Sequence, residues 1–405
     1  MYTRLKCLCT FLTAALIATS AFGQDAPAPA QAPAPTAAPA APAPLSAPTF
    51  TGPLSNIPPA ILDAGPFGKI AVNGVVSGVG TVQNNPIAGD DNRHADLSNG
   101  QIFIQKTDGW FQFYIQSGAY SIPDLGLPYI NTNNTLPNFF GAVPVAYVKL
   151  QAGKNTSFEI GALPTLIGAE YTFSFENMNV ERGLVWNQEN AVNRGIQVNQ
   201  TMGKFTASAS WNDGFYSGRY SWVWGSLAYA NGPHALSFVA GGNMSQTKFQ
   251  NLATPVQNNG SIYNVIYTYT KGPWIVTPYF QYTHVPTNAN IGVMKGASTT
   301  GGAILVSYAM KHGFALPVRW EYIGSSGSLT DNSVNLMYGP GSAGTSFTVT
   351  PTFQQGGFFA RGDIAWVHVS SFTPSFVFGP MGMNNNQFRM AAEIGFVFGD
   401  NITKK

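Results

Sequence analysis

The sequence predicts an all-β fold, a transmembrane antiparallel up-and-down β-barrel of about sixteen strands. Three observations support this prediction: short and long connections alternate along the chain, segments of about ten residues alternate apolar and polar side chains, and charged residues make up only 9% of the chain. Barrels of outer membranes combine these features, because each strand faces lipid on one side and water on the other. Their short turns and long loops also lie at opposite ends.

Short, glycine-containing turns are the first observation. Each turn lies between two alternating segments, and a longer polar connection separates it from the next turn. Seven short turns and eight longer connections make fifteen connections, which join sixteen strands. The turns are residues 107–109, 153–155, 201–203, 231–233, 271–273, 311–313 and 355–357. The predicted strands are residues 70–80, 97–106, 109–118, 144–153, 156–163, 194–202, 204–212, 221–231, 234–245, 261–271, 273–284, 298–311, 313–323, 345–354, 357–368 and 387–398.

Alternating side chains are the second observation. In residues 204–212, Phe, Ala, Ala and Trp point one way, whereas Thr, Ser, Ser and Asn point the other way. A soluble sandwich also alternates, but so many amphipathic strands cannot bury one face in a common core without helices to cover them. Lipid outside and water inside satisfy both faces. Tryptophans near the strand ends predict interfacial girdles, and they are Trp110, Trp224, Trp274, Trp320 and Trp366.

The low charge is the third observation, since soluble domains carry roughly 25% charged residues. The first 23 residues contain two basic residues, Arg4 and Lys6, and no acidic ones, so the remaining chain has 18 of each sign and a net charge of zero. No basic surface therefore indicates a nucleic-acid partner. Cys7 and Cys9 also lie in that first segment, so the rest of the chain has no thiol for disulfides or metal ligation.

The N-terminal region predicts secretion. Residues 1–23 read as a signal peptide, because a basic start precedes an apolar stretch and the small-x-small site Ala21-Phe22-Gly23. A membrane anchor is the alternative, but the apolar stretch is too short for one. Residues 24–64 are rich in Ala and Pro and predict an extended periplasmic linker; a specific docking element is the alternative. The barrel is predicted over residues 65–405.

Charged residues at inward positions of the last strands are pore-wall candidates: Arg319, Glu321, Arg361, Asp363, Arg389 and Glu393. Side by side they make a wall of mixed sign. Two interpretations remain open at this point. The wall could create a transverse field that orients polar solutes, or it could form a hydrogen-bonded network that stabilises the barrel.

The long connection at residues 164–193 is the richest in charge. Its constriction candidates, with one residue at its exit, are Glu170, Glu176, Glu181, Arg182, Glu189 and Arg194. Loops of this length in compact folds are usually functional. The connection could fold into the lumen and narrow it, or it could be an external surface loop. Inside the lumen its carboxylates would favour cations, with the wall arginines opposing them.

The same region carries a family resemblance. Residues 161–170 (GALPTLIGAE), Asn177, Glu181-Arg182-Gly183, Asn193-Arg194-Gly195 and the later Trp211-Asn212-Asp213-Gly214-Phe215 resemble the OmpL-like beta-barrel porin-2 family. The resemblance covers about residues 65–398. It implies an outer-membrane porin of a Gram-negative bacterium. With sixteen strands leaving an aqueous lumen, we expect passive diffusion of small hydrophilic solutes. The alternative is a non-conducting barrel with a structural or adhesive role.

No catalytic, cofactor or metal site is predicted, and the protein is not expected to be an enzyme. The five histidines are scattered, and the chain has no Gly-x-Ser-x-Gly, His-Glu-x-x-His or phosphate-loop motif. The expected partners are outer-membrane lipid and lipopolysaccharide, small polar solutes, and the barrel-assembly machinery, because the closing strand ends near Phe398. A homo-oligomer is possible, and no nucleic-acid partner is expected.

Overall fold

A computed structural model describes residues 53–245 and 255–402. The predicted signal peptide and most of the predicted linker lie outside these residues. In the described parts of the chain, no helix has the length and apolar character that a membrane crossing would require. The strands are β1 (Ala60–Asp63), β2 (Lys69–Gln83), β3 (Arg93–Lys106), β4 (Phe111–Tyr120), β5 (Val145–Gln151), β6 (Thr156–Pro164), β7 (Val192–Met202), β8 (Phe205–Asn212), β9 (Trp222–Asn231), β10 (His234–Asn243), β11 (Ser261–Lys271), β12 (Trp274–Val285), β13 (Ala297–Ala309), β14 (Phe314–Ser325), β15 (Ala343–Val349), β16 (Thr352–Gln355), β17 (Phe358–Ser370) and β18 (Asn386–Phe398). Within residues 53–245 and 255–402, one α-helix, α1, spans Thr132–Asn138, and short 3-10 helices span Gly65–Phe67, Ser174–Glu176, Trp186–Gln188, Val256–Asn259, Ala289–Ile291, Lys311–Gly313, Leu329–Asp331 and Asp400–Ile402.

The strands form one closed antiparallel barrel. Strands from β2 to β18 pair with their neighbours along the chain, and β18 then pairs with β2, from Arg389 opposite Gln83 to Phe398 opposite Gly74. Strand β1 pairs with the start of β2 only, and β15 and β16 together occupy one position between β14 and β17. The barrel therefore has sixteen strand positions, and the predicted fold class is confirmed.

The break between β15 and β16 is the main departure from the predicted strands. Residues 345–354 were expected to form one strand, but the ladder is interrupted at Thr350-Pro351. Proline has no N–H to donate to a ladder, so a strand that contains it loses a hydrogen bond at that point. Both pieces still pair with β17, which keeps the barrel closed.

The seven short turns lie where they were expected. They occupy residues 107–110, 152–155, 203–204, 232–233, 272–273, 310–313 and 356–357. The longer connections lie at the other end of the barrel. In an outer-membrane barrel the short turns face the periplasm and the long loops face the outside, so this arrangement also sets the orientation.

Most outward side chains of the wall are apolar, as predicted, whereas the inward face carries aromatic as well as polar side chains. Outward residues such as Phe205, Trp211 and Phe238 are exposed and apolar. Of the tryptophans expected in the girdles, Trp224 is instead buried on the inward face, because the register places it opposite the inward Ser210. That prediction was wrong for Trp224, whose strand brings two tryptophans into the lumen.

The described end of the predicted linker contacts the periplasmic end of the barrel. Leu54 is buried among inward apolar residues. The Ser55 N–H donates to Oε1 of Gln354 (2.6 Å), whose Nε2 donates back to the Ser55 carbonyl (2.9 Å). The Asp400 N–H donates to the Pro58 carbonyl (2.7 Å), and β1 follows. Residues 53–64, here called the strap, are therefore held to the barrel.

Candidate functional site

The candidate site is the connection between β6 and β7. Residues 165–191, here called the inner segment, turn into the barrel, and residues 172–186 are buried throughout. Their partners are inward side chains of the wall, as the contacts below show. Of the two arrangements left open by the sequence, the segment adopts the internal one.

Arg319 on β14 makes the first of these contacts. Its Nη1 donates to Oε1 of Glu170 (2.6 Å) and to the carbonyl of Glu181 (2.7 Å). The other Glu170 oxygen accepts from the Gly183 N–H (3.0 Å). All of these groups are buried. One wall arginine therefore binds two distant points of the inner segment.

Two wall carboxylates bind the backbone of the inner segment. Glu321 accepts from the Leu184 N–H (2.5 Å), and Asp363 accepts from the N–H groups of Val180 (3.1 Å) and Glu181 (2.8 Å). Backbone amides that donate to a carboxylate satisfy both groups away from water. The acidic wall positions thus stabilise the segment without requiring a particular side chain in it.

Arg361 binds the segment near its first 3-10 turn. It donates to the carbonyls of Asn177 (2.9 Å) and Ser174 (3.0 Å), and it is ion-paired with Glu393 at 2.9 Å. Glu393 in turn accepts from the Ser174 hydroxyl (2.8 Å). These contacts bring β17, β18 and the inner segment into one buried network.

Arg389 and Arg182 join the segment to the loop after β4. Arg389 is ion-paired with Glu181 (2.8 Å) and donates to the carbonyl of Asp124 (2.8 Å). Arg182 Nε donates to the Asp124 carboxylate (2.8 Å), and its N–H donates to the Pro123 carbonyl (3.1 Å). Two loops are therefore fastened together inside the barrel.

Three charged groups of the inner segment keep free hydrogen-bonding capacity among the described residues: Arg182, Glu189 and, at its Oε2, Glu181. Both Nη atoms of Arg182 and both carboxylate oxygens of Glu189 are buried and have no hydrogen-bond partner there. A Cβ on Gly168 would lie 1.8 Å from Oε2 of Glu189, so glycine is what leaves room for the carboxylate. Buried polar groups of this kind are strong binding points for water or a polar solute.

Arg194 and Glu176 differ from the other constriction candidates. Arg194 on β7 lies opposite Ala162 on β6, and both face outward. The Arg194 Nε donates to the Asp213 carboxylate (2.8 Å). It does not join the network around the wall arginines. Glu176 accepts from the Phe173 N–H (3.2 Å) and so caps a turn of the inner segment itself.

Apolar side chains of the inner segment pack against aromatic residues of the wall, and the sequence analysis missed these contacts. Phe173 lies 5.0 Å from Tyr120 and Phe175 lies 5.5 Å from Phe103, between ring centroids. Ile167 packs in a cluster with Trp222 and Trp224. The signal that could have found them is an aromatic residue on the polar face of a strand, where a water-filled lumen gives it nothing to pack against.

The chain matches a known protein family over most of its length. Residues 69–398 match the model of the family described as "Putative beta-barrel porin-2, OmpL-like". The chain belongs to this family. It is an outer-membrane porin, a channel protein of the Gram-negative outer membrane. No curated protein sequence matches the chain.

Solved structures share the fold of this porin at low sequence identity. The anion-selective porin from Comamonas acidovorans is 12% identical, with a TM-score of 0.54 over 81% of this chain and 99% of that one. The outer-membrane channel DcaP of Acinetobacter baumannii is 10% identical, with a TM-score of 0.55 over 81% and 97%. Salmonella typhi OmpF, in complex with daunomycin, is 10% identical, with a TM-score of 0.54 over 82% and 98%. These likenesses concern the fold alone.

Within this porin, charge inside the barrel is unbalanced. Among the described residues, carboxyl groups outnumber basic side chains on inward strand positions, on the inner segment and in the loop after β4. In the same residues, no group of three or more His, Cys, Asp or Glu side chains is arranged to hold a metal. The acidic groups include Asp96, Asp124, Glu159, Glu170, Glu176, Glu181, Glu189, Glu321, Asp363 and Glu393, and the basic groups include Lys149, Arg182, Arg319, Arg361 and Arg389.

Proposed function

We propose that this porin conducts small hydrophilic solutes by passive diffusion, and that the inner segment sets the width and the charge of the pore. The observation that carries the proposal is the binding of one segment by three wall strands, β14, β17 and β18. Arg319, Glu321, Arg361, Asp363 and Arg389 all contact residues 165–191. A segment held at so many points keeps a defined position, as a size filter must.

The periplasmic half of the lumen supports the same proposal. There the inward positions of β8 to β11 carry small or polar side chains, including Ser208, Ser226, Ser237 and Thr268. They are partly exposed, in contrast to the buried inward residues beside the inner segment. Sixteen-stranded barrels leave an aqueous channel, so this half is the wide part of the path and the inner segment is the narrow part.

We further propose a mild preference for cations. The excess of carboxyl groups over basic side chains inside the barrel supports it, because rings of carboxylates favour cations in pores. The ion pairs of Arg319 with Glu170 and of Arg389 with Glu181 oppose it, since paired charges act on a solute as dipoles. The two interpretations of the wall charges then apply together: the network holds the segment, and its alternating signs give the lumen a transverse field.

Planar-bilayer recordings test the proposal. Pure, folded protein should give single-channel steps, and the reversal potential in a salt gradient should lie on the cation side. Uptake of neutral solutes of increasing size into proteoliposomes should identify the size above which solutes no longer pass. If folded protein gives no steps, a non-conducting barrel with a structural or adhesive role is the better description.

We propose a channel rather than an enzyme, because family and fold are those of porins. We also propose a homo-oligomer, because OmpT of Vibrio cholerae, which shares the fold, has a trimer form, and light scattering of detergent-purified protein would test it. We also propose residues 1–23 as a signal peptide, residues 24–64 as a periplasmic linker, and lipopolysaccharide and the barrel-assembly machinery as partners.

A further inference from the structure

Lysines are unevenly distributed between the two ends of the barrel. Eight lysines lie in the described residues, and six of them are at the end with the short turns. These six are Lys69, Lys106, Lys154, Lys204, Lys271 and Lys311. By the usual orientation of outer-membrane barrels, that end faces the periplasm.

Two of the six lysines have carboxylates beside them. Lys106 is ion-paired with Asp108 at 2.6 Å, and Lys69 pairs across the strands with Asp63. The charges in this sector of the rim compensate each other. The net positive potential of this sector is therefore too small to attract an anionic partner.

The other four lysines lie in a sector without acidic residues. Lys154, Lys204, Lys271 and Lys311, here called the lysine arc, lie in or directly before four of the five consecutive short turns between β5 and β14. The chain has no Asp or Glu at residues 150–157, 200–206, 229–236, 269–275 or 308–315. All four lysines are exposed, and none makes an ion pair with a described residue.

Outward aromatic pairs fix the depth of the lysine arc. Phe205, next to Lys204, lies 4.3 Å from Tyr229 between ring centroids. Trp274, paired across the strands with Lys271, lies 4.6 Å from Tyr308. Aromatic girdles mark the level of the lipid headgroups in barrels. The residues of the lysine arc therefore lie at the headgroup level of the periplasmic leaflet.

We propose that the lysine arc is a binding surface for anionic phospholipid headgroups of the periplasmic leaflet. A lysine ammonium is a compact charge on a flexible stem, suited to a phosphate at the membrane surface. The arc would select phospholipids with net negative charge over zwitterionic ones, because a zwitterion carries its own cation. The acidic peptides of the cell wall are the alternative partner at this end. They lie beyond the lipid headgroups, so their binding would not depend on the aromatic pairs.

Lipid retention measured by native mass spectrometry tests the proposal. The full-length protein is equilibrated with equal amounts of phosphatidylglycerol and phosphatidylcholine with identical acyl chains, and the bound lipids are counted. The wild type should retain phosphatidylglycerol in excess. K271Q/K311Q should lower the ratio of bound phosphatidylglycerol to bound phosphatidylcholine by about fivefold or more. A factor of about five is the contribution of one lysine to binding at an anionic membrane surface. K69Q/K106Q, which removes two lysines that already face carboxylates, is the matched control and should change the ratio little.

Several outcomes would overturn the proposal. Equal retention of the two lipids by the wild type is one, and an unchanged preference in K271Q/K311Q is another. An equal loss in K69Q/K106Q would mean that the whole rim acts as a diffuse charge. K271R/K311R should keep the preference, which separates loss of charge from loss of folding. If purified cell-wall sacculi sediment the wild type but not K271Q/K311Q while no lipid preference exists, the partner is the cell wall and the lipid proposal fails.

Discussion

Arg319 and Glu170 form a buried ion pair at 2.6 Å although 149 residues separate them in the chain. Arg319 belongs to the barrel wall, and Glu170 belongs to the inner segment. The pair therefore reports directly whether the segment occupies the lumen. Because neither side chain reaches solvent in this arrangement, removing one partner leaves the other charge buried and uncompensated.

We expect Arg319→Gln to release the inner segment. Breaking a buried pair by removing one partner costs about 3–5 kcal/mol, and chemical unfolding of the barrel in detergent would measure that loss. A segment held less firmly should also give larger or noisier single-channel steps. The double variant R319Q/E170Q should recover only part of the stability, because Glu170 no longer leaves an unpaired charge but buried Glu321, 3.8 Å from Arg319, still loses its ion-pair partner. If R319Q behaves like the wild type in both measurements, the segment is not held in this way.

Glu189→Gln should change selectivity with little effect on stability. Glu189 has no hydrogen bond to lose among the described residues, and neutralising a buried, unpaired carboxylate relieves its desolvation. Burial raises the pKa of Glu189, so the cation preference should fall at a pH above that raised value, where the wild-type carboxyl is ionised. The fall is measured as a shift of the reversal potential towards zero. Asp331→Asn is the matched control: Lys295 donates to Asp331 (2.5 Å) and holds the pKa of this exposed carboxyl below its usual value, so the control also removes a negative charge. A similar shift in both variants would place the selectivity outside the inner segment.

Gly183→Ala should weaken the contact between the inner segment and Glu321. A Cβ at this position would lie 2.2 Å from Oε2 of Glu321, so the carboxylate must move away from the Leu184 N–H. We expect a loss of about 1–3 kcal/mol, typical of overpacking at a buried site, in the same unfolding assay. Gly80→Ala is the control, because its Cβ would meet nothing closer than 3.9 Å. Equal losses in the two variants would contradict this account of Gly183.

Leu54→Ala should loosen the strap and leave the barrel intact. Leu54 is buried, whereas Ile61 of the same segment is 47% exposed, so Ile61→Ala provides the control. Truncating the buried side chain removes apolar contacts and leaves a cavity. Amide hydrogen exchange at Ser55 and in β1 should accelerate in L54A alone, with no change in the heat shift of the barrel on electrophoresis. Unchanged exchange would show that the hydrogen bonds to Gln354 suffice to hold the strap.

Strand number and strand direction follow from the sequence alone. Short glycine turns at seven positions and period-two alternation are local properties, and each is visible within about ten residues. The alternation also assigned Arg319, Arg361 and Arg389 to the inward face, where the register places them. The proline break at Pro351 was readable too, since proline cannot donate to a ladder, but the surrounding alternation favoured one continuous strand.

Only the tertiary structure decided what fills the lumen. Whether residues 165–191 turn inwards depends on contacts with β14, β17 and β18, which lie more than a hundred residues away in the chain. The sequence places Arg194 and Glu181 in the same charged stretch, yet one pairs with Asp213 and the other with Arg389. Period and composition determine which side of a strand faces water, because that is a local choice. The ion-pair partner of each buried charge depends on the closed barrel, because closure brings strands that are distant in the chain to the same depth.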